Sequence, residues 1–331
     1  MATSPHLLCY SYLLLCILAV ASFPGSAKDA TRWYDDVPGI KVLAPGDPNA
    51  QATVDAIALQ QHPATTAQFN DKRYAILLLP GTHNISVGTG YYTSVIGVGT
   101  SAAEVVVGNV ESFDVAAGGA TQNFWRSAEG LTVRNSSTTW AVSQACPMRR
   151  MVFEGDLWLS EQGPGTHWSS GGFMADVEVQ GQLHTGTQQQ WCFRNVELPR
   201  SPDLQYGGWN YVFIGCDGAP EKSTTGKPDE FTNAGPTPRG AEKPFLVNVI
   251  GDADKWQVWV PGFDSNPSTG RTTATSPSKS VPTTEFDLEA DVYVAKAPRD
   301  KGSDMNAALA TGRWKGVLLT VSCERRERAN F

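Results

Sequence analysis

Residues 49–86 read NAQATVDAIALQQHPATTAQFNDKRYAILLLPGTHNIS, and this stretch decides the predicted fold. A helix-forming run leads through a polar loop into an apolar strand, YAILLL, which ends at a Pro-Gly turn. Residues 303–320 repeat the opening of this pattern, with DMNAALATG before the strand KGVLLT, but VSC replaces the turn that should follow. The repeat predicts a tandem architecture, in which one unit precedes a second that stops after its first strand.

Short β runs separated by Gly, Asn, Ser and Thr fill most of residues 74–216. Four of them align at steps of about 20, 24 and 20 residues, which fits one turn of a three-sided parallel β-helix. A single rung cannot bury its own face, so stacking of successive rungs must supply the core. An antiparallel sandwich is the alternative, but it should show more frequent turns and two-residue hairpins. The aligned runs are 131–133, 151–153, 175–177 and 195–197.

The first residues of the chain have the character of an export signal. Residues 1–27 contain no Lys, Arg, Asp or Glu and end on small residues. Their apolar run, Leu13 to Ala21, is shorter than the roughly 20 residues that a membrane anchor needs. We therefore expect a secreted, extracellular protein with no membrane contact after signal cleavage. The sequons at Asn84 and Asn135 predict glycosylation.

Composition then divides the rest of the chain into segments. We expect a parallel β-helix domain at 28–263, a Pro/Ser/Thr-rich linker at 264–290 and an incomplete second β-helix unit at 291–331. A loop insertion is predicted at about 218–242, where Pro, Gly, Ser and Thr are concentrated.

Net charge and residue spacing exclude several classes of function. The formal net charge is −7 and no basic patch lies outside the last residues, so nucleic acid is not an expected partner. No phosphate-binding loop and no Cys/His spacing for zinc is present, so no cofactor is predicted. A calcium site stays open, because converging carboxylates cannot be recognised from this sequence.

The cysteine spacing predicts one disulfide. Cys192 and Cys216 are separated by about one coil, which would bring their Cα atoms to about 4.8 Å if they share a column. Cys146 lies about two coils from Cys192 and is expected to stay unpaired.

Carboxylates on the aligned rungs are the candidate catalytic groups. Strand alternation should send them outward beside Arg150 and an aromatic side chain, on rungs about 4.8 Å apart. Glycosidases need two such carboxylates, one with a raised pKa; the alternative is a solvated sheet face. The catalytic candidates are Glu154, Asp156, Asp176 and Glu178, and the substrate-binding candidates are Arg150, Trp158, Trp168, His184 and Gln190.

Several longer strings resemble a known group of proteins. DVPGIKV, GYYTSVIGVG, WAVSQACPMRR, SGGFMAD and QQQWCFRN are similar to secreted pectate-lyase-like and family 55 glycoside hydrolase-like proteins, some of which are labelled adenylyl cyclase. The resemblance covers roughly residues 35–320. It implies an all-β, right-handed parallel β-helix whose N-terminal helix caps the first coil.

The same resemblance implies a carbohydrate-active protein. It would act on a polysaccharide by hydrolysis or lysis at the carboxylate patch. A non-catalytic, carbohydrate-binding or wall-associated β-helix is the alternative, and the oligomeric state stays open.

Overall fold

The computed structural model describes most of the chain between residues 32 and 319. The described residues are 32–35, 37–113, 120–161, 167–204, 210–221, 231–249, 255–264, 269–270, 283–295, 307–308, 310–314 and 316–319. The predicted signal peptide at 1–27 and the end of the predicted second unit, 320–331, lie outside them, as does much of the predicted linker. Within the described residues, no helix is long and apolar enough to span a bilayer.

The opening stretch folds as its composition indicates. Helix α1 spans Ala50–Gln61 and buries Val54 and Ile57 on the side that packs against the first coil. It is rich in Ala and Gln, which favour helix, and it ends at its C-cap, His62, beyond which Pro63 is extended. The helix has the predicted bounds. Its capping role and the handedness of the solenoid stay predictions.

Apart from helix α1, the described chain consists mainly of short strands. The helices besides α1 are α2 (Ala64–Ala67) and α3 (Leu288–Asp291), with 3-10 turns at Ala102–Glu104 and Ala120–Gln122. The strands are β1 (Ile40–Leu43), β2 (Tyr74–Leu78), β3 (Gly81–Gly88), β4 (Thr93–Gly97), β5 (Val105–Glu111), β6 (Ser127–Glu129), β7 (Thr132–Val133), β8 (Ser137–Thr139), β9 (Pro147–Arg149), β10 (Val152–Phe153), β11 (Asp156–Trp158), β12 (Phe173–Ala175), β13 (Glu178–Val179), β14 (Leu183–His184), β15 (Gln190–Arg194), β16 (Asn210–Ile214), β17 (Phe231–Asn233), β18 (Phe245–Asn248), β19 (Trp256–Pro261), β20 (Thr283–Asp287), β21 (Val292–Ala295) and β22 (Gly316–Leu319).

Three parallel sheets make up the solenoid. Sheet A has nine strands in the order β1-β2-β4-β6-β9-β12-β15-β16-β17. Sheet B has five, β13-β10-β7-β5-β3, and sheet C has three, β14-β11-β8. Every neighbouring pair within these sheets is parallel, and each coil contributes one strand to a given sheet before the chain moves on. The prediction of an all-β parallel β-helix is confirmed, and the antiparallel sandwich is excluded.

The register of the rungs differs from the predicted one after the second rung. Val152 pairs with Thr132 as expected, but on its other side it pairs with Glu178. Glu178 is bridged in turn to Glu197. The third rung is therefore two residues later than predicted, because the coil between β10 and β13 is longer than its neighbours.

The turn from sheet A to sheet B is a column of left-handed residues, which we call the corner column. One such residue follows each of the sheet A strands β6, β9, β12, β15 and β16, and a left-handed φ reverses the side to which the next side chain points. Strand alternation therefore cannot be carried across this corner. The column consists of Gly130 (φ 73°), Arg150 (53°), Asp176 (55°), Asn195 (51°) and Gly215 (61°).

Apolar side chains from all three sheets fill the interior of the solenoid. Val177 is fully buried, as predicted, and Trp191 occupies the core. Phe193 and Phe213 stack on successive rungs with ring centroids 4.5 Å apart and planes 4° from parallel. This continuous interior supplies the face that no single rung could bury.

Antiparallel strands leave the solenoid near its end. β18, β19 and β20 form a three-stranded antiparallel sheet, and β21 pairs with β22 in parallel. Trp256 and Leu288 from this region pack with Trp33 and Tyr34 in a second apolar cluster. The parallel β21/β22 pair contains the repeated strand seen in the sequence, while the predicted domain boundaries stay predictions.

Removal of one stacked ring should destabilise the solenoid. Phe213→Ala deletes a fully buried side chain and leaves a cavity beside Phe193, so we expect the free energy of unfolding to fall by about 3–5 kcal/mol. Denaturant unfolding measures this change. The matched control is Phe263→Ala, because Phe263 is 64% exposed and should change stability by about 0.5 kcal/mol or less. Equal losses in the two variants would contradict the stacked core.

Candidate functional site

A groove lies along the edge of sheet A where its strands begin. It encloses a cavity of about 480 Å³ over β9, β12, β15 and β16. Small residues form its floor and side-chain amides line it. The residues that matter for its chemistry are Gln144, Ala145, Gly171, Phe173, Gln190 and Asn210.

Two glycines make the concavity possible. Gly171 has φ 98°, and a Cβ there would lie 3.3 Å from the side chain of Gln144. A Cβ on Gly172 would lie 2.1 Å from the buried ring of Trp191, so only glycine permits that ring to sit under the groove. The sequence pair Gly171-Gly172 is thus required by packing.

A buried glutamine holds the floor of the groove in place. Gln188 is fully buried and accepts a hydrogen bond from the Gly171 backbone N–H at 2.8 Å. Its amide nitrogen donates to the carbonyls of Val142 and Leu159, both at 3.1 Å. Because a buried amide without partners is costly, this arrangement fixes the loop that carries Gly171.

The groove offers binding groups rather than a pair of acids. Gln144, Gln190 and Asn210 supply amides that can donate to and accept from hydroxyl groups, and Phe173 supplies an aromatic ring. Arg149 contributes a guanidinium at its border. Among the described residues that line the groove, none carries a carboxylate.

A charged segment covers the corner column beside the groove, and we call residues 237–248 the strap. Thr237 donates to the side-chain oxygen of Asn195 at 2.7 Å, and Lys243 contacts Glu129 at 2.5 Å. The ring of Phe245 lies 3.7 Å from the guanidinium carbon of Arg150. The strap thereby excludes water from side chains of the corner column.

Glu242 is the central carboxyl of the strap. It is hydrogen-bonded to Arg194 and lies 3.8 Å from Arg149, which borders the groove. Burial, followed by the neighbouring Asp176 carboxylate, raises the pKa of Glu242 to about 7, against the opposing effect of the two arginines. A carboxyl that titrates near neutrality beside a groove is a candidate functional group.

Two predicted site residues are wrong in their placement. Arg150 and Asp176 were expected to point outward, but both are buried in the corner column under the strap. Burial lowers the pKa of the Arg150 guanidinium, and the carboxylates of Glu129, Asp176 and Glu242 oppose this effect. The positive φ at both positions turns their side chains away from solvent, which strand alternation alone does not predict.

A second group of predicted residues does come together on sheet C. Trp158 pairs with His184 across the sheet, and their rings stack at 3.9 Å with planes 10° from parallel. His184 Nδ1 lies 2.9 Å from the carboxylate of Asp203, and Nε2 lies 3.9 Å from Asp156. None of these residues lines the groove, and β11 and β14 belong to a different sheet.

The remaining predicted residues are scattered. Glu154 is exposed beyond β10, Glu178 accepts a hydrogen bond from Gln180, and Trp168 is half-buried. Gln190 is exposed and lines the groove. The predicted carboxylate patch is therefore divided between sheets B and C and the corner column, and a catalytic role for Glu154, Asp156, Asp176 or Glu178 stays a prediction.

The predicted disulfide is not formed. Cys192 and Cys216 are both free thiols, because the coil between β15 and β16 brings Cys192 opposite Val212 rather than Cys216. Burial raises the pKa of the Cys216 thiol to about 11. Cys146 is buried and its thiol donates to the carbonyl of Asn123 at 3.0 Å.

The predicted surface modifications and metal site stay predictions. Asn84 is exposed on β3, while the Asn135 amide donates to the carbonyl of Ser137 at 2.5 Å. In the part of the chain that the structure describes, no three His, Cys, Asp or Glu side chains converge as metal ligands.

Sequence reasoning missed the groove and the strap. Gly171-Gly172 and Gln188 were visible as residue types, and a paired glycine before a strand is the signal that could have marked a close packing site. Glu242 lies near the end of a region interpreted as a loop insertion, and nothing local indicates that it is buried.

No family model matches the chain. A curated relative, an exo-β-1,3-glucanase from Streptomyces sp. (strain SirexAA-E / ActE), is 36% identical over 295 residues, which cover 87% of this chain and 46% of the relative. The solved structure of sacteLam55A from Streptomyces sp. SirexAA-E matches with a TM-score of 0.72 and 35% identity over 83% of this chain and 48% of that one. A variant of sacteLam55A in complex with glucose matches with a TM-score of 0.70 and 36% identity.

The chain is related to family 55 glycoside hydrolases. It spans about half the length of the relatives that it matches. The relationship and the parallel β-helix agree with the resemblance that the sequence strings carry.

The raised pKa of Glu242 should make stability depend on pH. The folded chain keeps the Glu242 proton up to about pH 7, whereas the unfolded chain releases it near the ordinary glutamate pKa of 4.5. Stability should therefore decrease as pH rises from about 4.5 to 7, by up to roughly 3 kcal/mol. Glu242→Gln should remove most of this decrease in thermal unfolding measured from pH 5 to pH 8.

The matched control for this measurement is Glu285→Gln, which changes an exposed carboxylate on β20. It should leave the pH profile as in the wild type. A profile that Glu242→Gln does not flatten would contradict the buried carboxyl.

Proposed function

We propose that the protein is a family 55-type carbohydrate-active protein that binds β-1,3-glucan along the sheet A groove and hydrolyses it. The observation that supports this most directly is the groove itself, an open, amide-lined channel on a β-helix related to an exo-β-1,3-glucanase. We further propose that it acts outside the cell, as residues 1–27 suggest.

The chemistry of the groove fits a neutral sugar polymer. Gln144, Gln190 and Asn210 offer both donors and acceptors, which is what the hydroxyl groups of a pyranose require. Phe173 offers a face on which an apolar sugar surface can pack. A polyuronate would need compensating cations, and Arg149 is already engaged with Glu242.

Hydrolysis adds the elements of water across a glycosidic bond and requires a proton donor for the leaving oxygen. Glu242, with its pKa raised to about 7, has the protonation behaviour of such a donor, and it lies 3.8 Å from the groove residue Arg149. Glu242 also contacts Arg194 and Arg149, and these contacts support a second role, neutralisation of the charge of the two arginines. Glu154, Asp156, Asp176 and Glu178 remain alternative proposals for the acids.

One observation favours a second candidate function, non-catalytic glucan binding. The described residues lining the groove include no carboxylate, so the two-acid arrangement of a glycosidase is not assembled in that lining. In this alternative, the groove recognises β-1,3-glucan and no bond is cleaved.

Binding and cleavage should be measured separately. Purified protein is titrated with laminarin, a β-1,4-glucan, pectin and alginate, and reducing ends and 232-nm absorbance are followed in parallel. Gln190→Ala should weaken laminarin binding by about threefold to tenfold, because it removes amide hydrogen bonds to sugar hydroxyls. Gln180→Ala, an exposed glutamine beyond β13, is the matched control and should bind as the wild type does.

The outcomes separate the two candidates. Laminarin binding with new reducing ends supports the hydrolase, and binding without them supports the non-catalytic function. Preference for another polymer, or equal effects of the two glutamine substitutions, would contradict the groove as a β-1,3-glucan site.

A further inference from the structure

A second column of residues runs along the groove, one residue per rung. The strand registers of sheet A place these positions opposite one another, either just before a strand or at its first residue. Neighbouring members are about 4.8 Å apart. In order, the column contains Tyr92, Trp125, Ala145, Gly171, Gln190 and Asn210.

The character of the side chains changes along this column. Gln190 and Asn210 are amides and Ala145 and Gly171 are small, and these four positions line the groove. The next two rungs carry large aromatic rings, Tyr92 and Trp125. Trp125 is thus one rung beyond the lining residue Ala145, and the aromatic rungs continue the line of the groove.

The aromatic rungs form a stacked surface. The rings of Tyr92 and Trp125 are 5.3 Å apart with planes 8° from parallel, and the Arg73 guanidinium lies 3.5 Å from the Tyr92 ring. Phe69 lies 6.0 Å from Trp125. Phe69 is 82% exposed and Trp125 36% exposed, which is unusual for large aromatic side chains.

Polar contacts hold this surface rigid from behind. The Tyr92 hydroxyl donates to the carbonyl of Gln68 at 2.7 Å, and Arg73 donates to the carbonyls of Asn70 and Lys72, both at 2.8 Å. The Tyr92 backbone N–H donates to the Trp125 carbonyl at 2.6 Å. A surface that is ordered before binding loses little conformational entropy when it meets a ligand.

The backbone at these positions is also uncommon. Tyr92 has φ 54° and Trp125 has φ 56°, a conformation that bulky side chains rarely adopt. Strained residues of this kind concentrate at functional surfaces, where the surrounding structure maintains them. Ala145 occupies the same column with φ 60°, so the fold accepts a small side chain at the position equivalent to Trp125.

We propose that Phe69 and Trp125, with the Tyr92 ring stacked between Trp125 and Arg73 as their support, form a sugar-stacking subsite, which extends the groove and binds the apolar faces of β-1,3-glucan units beyond it. This subsite rests on the proposed function of the groove. Flat, rigid aromatic surfaces bind pyranose rings because C–H groups pack against the π face while the hydroxyl groups stay solvated. The aromatic rungs continue the column that lines the groove. For this reason we assign a glucan chain to this surface, rather than a second copy of the protein.

The test compares short and long ligands. Isothermal titration calorimetry is carried out on the full chain with laminaribiose and laminarihexaose. Trp125→Ala should weaken laminarihexaose binding by roughly tenfold and leave laminaribiose binding unchanged, because only the longer chain reaches from the groove to the stack. Trp125→Tyr should restore most of the affinity.

Two controls separate binding from folding. Trp125→Ala loses the packing of its ring on Tyr92, so its unfolding midpoint should fall, and thermal unfolding must show that it is still folded at the temperature of the titration. Phe263→Ala removes another exposed aromatic side chain outside the subsite and should bind both ligands as the wild type does.

Each outcome bears on a different claim. If the wild type binds laminarihexaose and Trp125→Ala binds it equally well, the stacking subsite is wrong while the groove function stands. If affinity is unchanged but sedimentation shows that Trp125→Ala abolishes a dimer, the surface covers a second copy and the subsite is overturned. If the wild type binds no laminari-oligosaccharide, the proposed function of the groove fails and the subsite fails with it.

Discussion

The parallel hydrogen-bonded register of sheet A is the constraint on which the rest of the structure depends. Because each coil adds one strand in a fixed register, residues from distant parts of the sequence fall into continuous columns about 4.8 Å per step. One of these columns is the corner column, and another lines the groove. A shift of one residue in any coil would move a side chain from the interior to the surface, so coil length matters as much as residue type.

Charge burial at the corner follows directly from this register. Arg150 and Asp176 cannot leave the column, so their charges must be compensated where they lie, and the strap provides Glu242 and the ring of Phe245. Removal of one partner from a buried charge cluster is more costly than loss of an exposed ion pair. The strap therefore couples the stability of the corner to the groove border, where Arg149 contacts both Glu242 and the ring of Phe173.

The residues proposed to bind sugar form two groups along the same solenoid, the groove and the aromatic residues beyond it. The small residues Ala145 and Gly171 leave the concavity, and Gln190 and Asn210 surround it with hydrogen-bonding groups. The stacked rings of Tyr92 and Trp125 lie further along the same column of sheet A. A β-helix can present such a sequence of subsites because each rung adds one side chain to the same line, about 4.8 Å from the previous one.

The sequence by itself determined the parallel β-helix, the bounds of the first helix and the burial of Val177, because repeats and local hydrophobic patterns are read within single strands. It also carried the resemblance to family 55 glycoside hydrolases through strings such as QQQWCFRN, but not the polysaccharide. Only the tertiary structure decided the burial of Arg150 and Asp176, the separation of Cys192 from Cys216 and the raised pKa of Glu242. Those features depend on the length of each coil, on left-handed corners and on a strap from a distant segment, and a pattern read along one strand contains none of these.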